Sequence, residues 1–377
     1  MDYMKDQHNF RYIYKQFKNL IKLDNKVIIL LGPRQVGKTT FLRTNFPEAS
    51  YINLEQGNFI EIFNSRNLED IKRAIGLSSN RRLLILDEVQ RLDDPGLIAK
   101  LIHDEMREIK LIISGSSALE IANKASESLA GRKHTVEMLP LTFQEKLIQT
   151  KLKSNREFIL ESLTFGMYPH LLDLKTTKEE YLKEMVDSTI LKDVFYLNLV
   201  KNTKNLYGLL KLLAYQIGQQ VNITDLASRL QISRPTVIDY IEILKRIYVI
   251  YTLSPFTKKR RDEIGKTEKV YFWDLGIRNA VINDFSPVEF RNDYGSIFEN
   301  FVITELFKVN KYEKSRYEFY YWRTKWGSEV DLVMQKDNEI VASEIKTRAG
   351  KVTSAFTDTY PDSKNRVITM DNLGSLL

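Results

Sequence analysis

"VIILLGPRQVGKTTFLRTNF", residues 27 to 46, decides how the chain is read. A short apolar run gives way to Gly32, Pro33, Arg34, Gln35, Val36, Gly37, Lys38 and Thr39, which fit G-x-x-x-x-G-K-[ST], with Thr40 following and a helix-like pattern through Phe41 and Leu42. The order strand, glycine loop, helix is the context in which this motif cradles phosphate. Gly32 and Gly37 let the backbone wrap closely around an anion, and the amides at the helix start point at it with a favourable dipole. Lys38 is then expected to bridge the β- and γ-phosphates of ATP, and the Thr39 hydroxyl to hold Mg²⁺.

Two further apolar runs extend the pattern. "RRLLILDEVQ", 81 to 90, ends in two acids. Asp87 suits the Mg²⁺ contact, and Glu88 suits a base that orients or deprotonates the attacking water. "IKLIISGSS", 109 to 117, ends in small polar residues, so that Ser114 or Ser116 can sense the γ-phosphate, or Ser116 or Ser117 simply cap the next helix. Arg132, at a turn in "ESLAGRKHTVEMLPLTFQE", can reach phosphates of its own or a neighbouring subunit, or form a surface salt bridge. Strands alternating with helices argue a parallel sheet with phosphates at its C-terminal edge.

Size and composition frame this reading. At 377 residues the chain is long enough for two or three domains, and 43% hydrophobic with 28% charged residues is a globular balance. No stretch approaches the roughly 20 apolar residues of a membrane span. The first residues lack the apolar core of a signal peptide, and the absence of cysteine excludes disulfides, thiolate metal sites and cysteine nucleophiles. A cytoplasmic location is the default expectation. Residues 201 to 270 hold thirteen Lys and Arg against six Asp and Glu, a surplus equal to the +7 of the whole chain. Such a local excess is the footprint of nucleic-acid contact or of a solvated face.

"GPRQVGKTT", "LDEVQ", "GSSALEI", "ESLAGR" and "LPLTFQE", in this order, resemble the AAA-type ATPase domain of a large group of bacterial and archaeal ATP-binding proteins. The resemblance continues in "GMYPHLL" at 166 to 172, "ILKDV" at 190 to 194 and "KVYFWDLGIRNAV" at 269 to 281. It implies ATP binding and slow hydrolysis, and settles no substrate. AAA-type domains often form rings, so a homo-oligomer is an open expectation.

Residues 151 to 204 read as a helical lid or connector, broken near Gly166 and Pro169. From 222, "NITDLASRLQISRPTVIDYIEILKRIYVIYTL" reads as a helix-turn-helix. Its second helix is capped by Ser233, carries Pro235 in its first turn, and buries Val237, Ile241 and Leu244 while exposing Arg234, Thr236, Asp239 and Tyr240. "YVIYTLSPF" and "KVYFW" then form a wing around "TKKRRDEIGK", where Lys258, Lys259, Arg260 and Arg261 are candidate phosphate contacts to DNA. Asp239 and Glu242 weaken base reading, and a winged helix packed on protein is the alternative.

Near the C-terminus, "SEVDLVMQKDNEIVASEIK", 328 to 346, gives two strands joined by a turn, with Glu344 and Lys346 on one face and Ile345 on the other. A preceding helix bears Glu299 and "YEFYYW" gives an earlier strand; a short helix around "SAFTDTY" and a strand "RVITM" follow. This order resembles the restriction-endonuclease-like core, whose pattern is written PD-(D/E)xK. The resemblance implies that Asp331 and Glu344 ligate Mg²⁺, that Lys346 stabilises or activates the attacking water, and that Glu299 is an accessory ligand. Val330 stands where the pattern has proline.

The expected fold is therefore α/β: an N-terminal helix (1–24), an AAA-type parallel-sheet domain (25–150), a helical lid (151–204), a winged helix-turn-helix (205–275) and a restriction-endonuclease-like domain (276–377). The function expected is an ATPase whose nucleotide state controls a DNA-binding winged helix and a nuclease-like domain. The alternative is a nucleotide-operated switch or scaffold that binds protein partners through an inactive nuclease fold.

Overall fold

The computed structural model describes residues 11–76, 82–115, 128–151, 156–190, 202–257 and 267–376. The chain divides into two compact units, Met1–Pro140 and Leu141–Leu377. Among the described residues no helix is long and apolar enough to cross a membrane.

The described residues of the first unit form a parallel sheet of five strands: β1 (Val27–Leu31), β2 (Ser50–Asn53), β3 (Leu83–Asp87), β4 (Lys110–Gly115) and β5 (Lys133–Glu137), in the order β2-β3-β4-β1-β5. Every residue of β1, β3 and β4 is buried, as the continuous apolar runs require of strands covered on both faces. β2 and β5 have no such run. The edge strand β5 is largely half-exposed, and pairing with β1 holds it in place. The helix Ile13–Leu23 packs Phe17 edge-on against Phe41, ring centroids 5.3 Å apart, and so braces the helix Lys38–Asn45 that follows the glycine loop.

The second unit has a mixed sheet of six described strands: β6 (Ile250–Pro255), β7 (Lys269–Phe272), β8 (Glu318–Arg323), β9 (Glu329–Lys336), β10 (Glu339–Ile345) and β11 (Lys364–Ile368), in the order β11-β10-β9-β8-β6-β7. β8, β9 and β10 are antiparallel neighbours, while β11 runs parallel to β10. The helix Tyr294–Glu313 precedes them and the short helix Ser354–Thr359 follows β10. Phe356 of that short helix closes a core with Trp322, Val330, Val333 and Ala342.

The helices Ile223–Leu230 and Arg234–Arg246 are joined by three residues and lead into the antiparallel pair β6 and β7. The Ser233 hydroxyl accepts from the Thr236 amide, the expected cap. β6 also pairs in parallel with β8, through Ser254 and Tyr320, so this hairpin is continuous with the C-terminal sheet. Val237, Ile241 and Leu244 are buried and Arg234 and Asp239 exposed as expected. Tyr240 corrects the expectation. It is only 6% exposed, because a packed helix buries a stripe wider than i, i+4, i+7 and position i+3 from Val237 falls inside it.

Upstream, the break expected near Gly166 is a left-handed turn, φ 79°, ending the helix Arg156–Phe165. A Cβ there would overlap the carboxylate of Asp274, which accepts from the amides of Met167 (2.6 Å) and Ile277 (3.1 Å). That carboxylate caps the helix Leu275–Ile282.

Candidate functional sites: a phosphate loop and an acid-lysine cluster

β1 ends at Leu31, and the chain turns at Gly32, whose φ of 154° and contact with the Met138 carbonyl leave no room for a Cβ. Gly37, φ 92°, starts the helix Lys38–Asn45. Gln35 also takes a left-handed conformation, φ 59°, so the loop curls between two glycines. Lys38 is buried, and its ammonium donates at 2.8 Å to the carbonyls of Gly32 and of Pro33. The charge thus lies across the loop itself. Pro33 and Val36 are buried, Arg34 is half-buried, and Gln35 and Thr40 are exposed.

The sheet order places β4 between β1 and β3, which brings three predicted residues together. Thr39 Oγ1 donates to Asp87 Oδ2 at 2.6 Å, and Ser114, on β4, donates to Asp87 Oδ1. The Tyr51 hydroxyl, on β2, also donates to Asp87 Oδ2. Asp87 is fully buried, and its acceptor oxygens are met by hydroxyls from three different elements. Burial and the neighbouring Asp87 push the Tyr51 phenol up, so it stays a donor. The Arg43 guanidinium stacks 4.3 Å from the centre of the Tyr51 ring.

Glu88 follows in a left-handed conformation, φ 60°, which is strained for a residue with a side chain. Burial pushes its carboxyl above the usual range; Lys38 opposes this shift and Asp87 adds to it. Gln90 donates to Glu88 Oε2. Arg132 is not brought to the loop. It precedes β5, its carbonyl accepts from the Val27 amide at the start of β1, and its side chain lies 3.4 Å from Asp104. A five-residue parallel strand, roughly 16 Å long, separates that end of the sheet from the phosphate end. Ser116 and Ser117 lie outside the described residues.

The donor set at this loop fits Mg²⁺ and a nucleotide phosphate. A hydroxyl and a buried carboxylate oxygen 2.6 Å apart are hard ligands of the type the ion takes, next to a lysine able to exchange backbone carbonyls for phosphate oxygens.

In the second unit, register places Asp331 on β9 beside Glu344 on β10, and Lys346 just past the end of β10. Lys346 Nζ is 2.7 Å from Glu344 Oε1 and 3.1 Å from Asp331 Oδ2, and Asp331 also accepts from the Ile345 amide at 2.8 Å. The predicted trio is assembled. Burial first, then Asp331, raises the Glu344 carboxyl, and its Oε2 is buried without a hydrogen-bond partner. Although burial opposes it, the two carboxylates raise the Lys346 ammonium.

Glu299 is engaged elsewhere. Its Oε1 accepts from the Tyr271 hydroxyl at 2.7 Å and from Lys269 Nζ at 3.3 Å, and the same ammonium pairs with Glu329. Lys269 is 3% exposed, so one internal cation on β7 serves two carboxylates. Burial pushes Glu299 up to about 7, with Lys269 opposing and Asp331 adding. Among the described residues no group of three or more acidic or imidazole side chains lies close enough to hold a metal ion. The orphaned Glu344 oxygen and Asp331 fit a cation; Glu299, as oriented here, does not join them.

Sequence reasoning missed Tyr51, Lys269, Tyr271 and Glu329. Glu329 was legible, since it sits two residues before Asp331 and shares its face. Tyr51 and Lys269 give no local signal, because sheet order and chain return bring them in. Lys258, Lys259, Arg260 and Arg261 lie outside the described residues.

Known proteins share these segments. Residues 24–147 match the family described as an AAA domain, residues 156–287 a domain of unknown function (DUF8612), and residues 294–372 another domain of unknown function (DUF4143). An uncharacterized protein of Methanocaldococcus jannaschii is 28% identical over 84% of this chain and 74% of its own length. One from Mycobacterium tuberculosis is 26% identical over 85% and 70%. Among solved structures, a signal transduction ATPase with a tetratricopeptide repeat sensor from Pyrococcus horikoshii aligns with TM-score 0.31 and 15% identity over 78% of this chain and 45% of that one. AMPPCP-bound DnaA from Aquifex aeolicus aligns with TM-score 0.32 and 17% identity over 65% and 93%.

Proposed function

We propose that the chain is an AAA-type ATPase that binds ATP with Mg²⁺ at Gly32–Thr40 and hydrolyses it, and whose nucleotide state controls a DNA-contacting helix-turn-helix and a nuclease-like C-terminal region. The observation that carries the first half is the buried Asp87, held by Thr39, Ser114 and Tyr51 beside a loop whose lysine lies across its own carbonyls. Loop amides and Lys38 bind the β- and γ-phosphates; Thr39 and Asp87 hold the ion. The ion supplies charge neutralisation at the transferring phosphoryl group. Glu88, with its carboxyl raised by burial, accepts a proton from the attacking water. Lys38→Ala abolishes ATP binding or turnover on this reading, and measurable turnover in that variant overturns it.

The C-terminal half of the proposal rests on Asp331, Glu344 and Lys346 sharing one end of the sheet, with an orphaned carboxylate oxygen among them. A second reading, a nucleotide-operated switch or scaffold with an inactive nuclease fold, is favoured by a different observation. Lys269 already pairs with Glu299 and Glu329, and Lys346 with Asp331 and Glu344, so each of the four carboxylates has a lysine beside it. A cleavage assay on plasmid and single-stranded DNA with Mg²⁺ or Mn²⁺, with and without ATP, separates the two. Cleavage lost in both Asp331→Ala and Lys346→Ala supports the nuclease; normal ATP turnover with no cleavage under any condition supports the switch.

A further inference from the structure

Trp326 sits at the tip of the turn between β8 and β9 with 95% of its surface exposed, whereas Trp273 and Trp322 are each 7% exposed. The turn beneath it is pinned. The Thr324 amide donates to the Ser328 carbonyl at 2.8 Å, the Gly327 amide to the Thr324 carbonyl at 3.2 Å, and the Ser328 amide to the Thr324 hydroxyl at 3.1 Å. Gly327, φ 91°, supplies the reversal. A large ring held in water on a fixed turn gains nothing from the fold it belongs to.

Its surroundings say what it meets. Between Trp322 and Ser328 the charged residues are Arg323 and Lys325, both exposed; "WRTKWGS" itself holds no acid, and Arg323 lies 3.6 Å from Glu329 just beyond it. Thr324, Lys325, Gly327 and Ser328 offer no apolar patch of the kind that surrounds an aromatic anchor in a protein interface. An isolated ring flanked by cations matches instead the pairing of base stacking with phosphate contact that holds single strands. The tip also lies at the working end of the sheet. Arg323 pairs in register with Glu329, and Asp331 is five residues from Trp326, at most about 17 Å along the chain.

We propose that Trp326 is a stacking platform for an unpaired base of a single-stranded nucleic acid, whose backbone Lys325 and Arg323 lead toward the Asp331, Glu344 and Lys346 cluster. This rests on the nucleic-acid reading above. Because the other two tryptophans are buried, solvent-accessible indole emission reports on Trp326 alone.

The test uses the full chain in EDTA, so that no strand is cut, with a fluorescently labelled oligothymidylate for affinity and an unlabelled one for tryptophan emission. Binding is expected to quench Trp326 emission and to shield it from acrylamide. Trp326→Ala weakens oligonucleotide affinity about 5- to 150-fold without changing the slope of affinity against salt, Trp326→Phe retains most of it, and Lys325→Ala lowers the slope by about one charge. An oligonucleotide that binds wild type and Trp326→Ala equally, leaving indole emission unchanged, overturns the platform while the nucleic-acid reading stands. No oligonucleotide binding by any form of the protein overturns both.

Discussion

Thr39 Oγ1 lies 2.6 Å from Asp87 Oδ2, joining the first turn of the helix after the glycine loop to the end of a strand two positions away in the sheet. Neither residue is near the other in the chain. The contact exists because β4 inserts between β1 and β3 and sets their ends level. Asp87→Asn keeps the volume and the hydroxyl neighbours but removes the charge. ATP turnover measured by phosphate release is expected to fall at least about 100-fold while the fold, followed by circular dichroism, persists. Wild-type turnover in Asp87→Asn removes Asp87 from the ion site.

Tyr51 donates to the same carboxylate as Thr39 and contributes orientation rather than charge. Tyr51→Phe deletes one of several donors to Asp87, so thermal unfolding should show a loss of about 1 kcal/mol. ATP turnover should fall by less than in Asp87→Asn. A loss as large as that of Asp87→Asn would make the phenol a direct participant.

Lys269 is a buried ammonium between two carboxylates, and removing it leaves Glu299 with no cation beside it and Glu329 with only Arg323, 3.6 Å away. Lys269→Met is expected to destabilise the second unit by about 3–5 kcal/mol in urea unfolding, the range for breaking a buried ion pair on one side. Adding Glu299→Gln should recover part of this, because an amide tolerates the lost cation and still accepts from Tyr271. If the single and double variants are equally unstable, Lys269 acts through packing alone.

The raised Glu299 carboxyl makes a pH prediction with a definite sign. Its folded pKa of about 7 stands above the ordinary glutamate value, so folding favours the protonated form. The associated stability is fully present below about pH 4.5 and is lost as pH rises toward 7, on the order of 3 kcal/mol in all. Wild-type stability relative to Glu299→Gln should therefore fall across that window and level off above it. Parallel stability curves for the two proteins would show that Glu299 does not titrate there.

Metal chelation separates the two chemistries. On the proposed function Thr39 and Asp87 hold the ion that hydrolysis needs, so EDTA should abolish ATP turnover. The same treatment should leave unfolding of the second unit unchanged, because Lys269 and Lys346 already supply positive charge to its carboxylates. A drop in that unit's stability on chelation would show a structural ion.

The sequence by itself determined the pieces whose physics is local. The apolar runs at 27–31, 83–87 and 110–115 had to be buried strands, and Gly32 and Gly37 had to turn a loop no larger residue could follow. The spacing of Asp331, Glu344 and Lys346 put them on one face wherever β9 and β10 paired in that register. The helices Ile223–Leu230 and Arg234–Arg246 were legible from the Ser233 cap and the apolar stripe, except that Tyr240 fell inside a stripe read too narrowly. What only the tertiary structure decided were the non-local choices. Strand order set Ser114 and Tyr51 around Asp87 and carried Arg132 to the opposite end of its sheet. The return of β7 beside β6 delivered Lys269 to Glu299 and Glu329. Strand periodicity fixes which way a side chain points, whereas its partner depends on which strands lie side by side, and that choice is made by burial summed over the whole sheet.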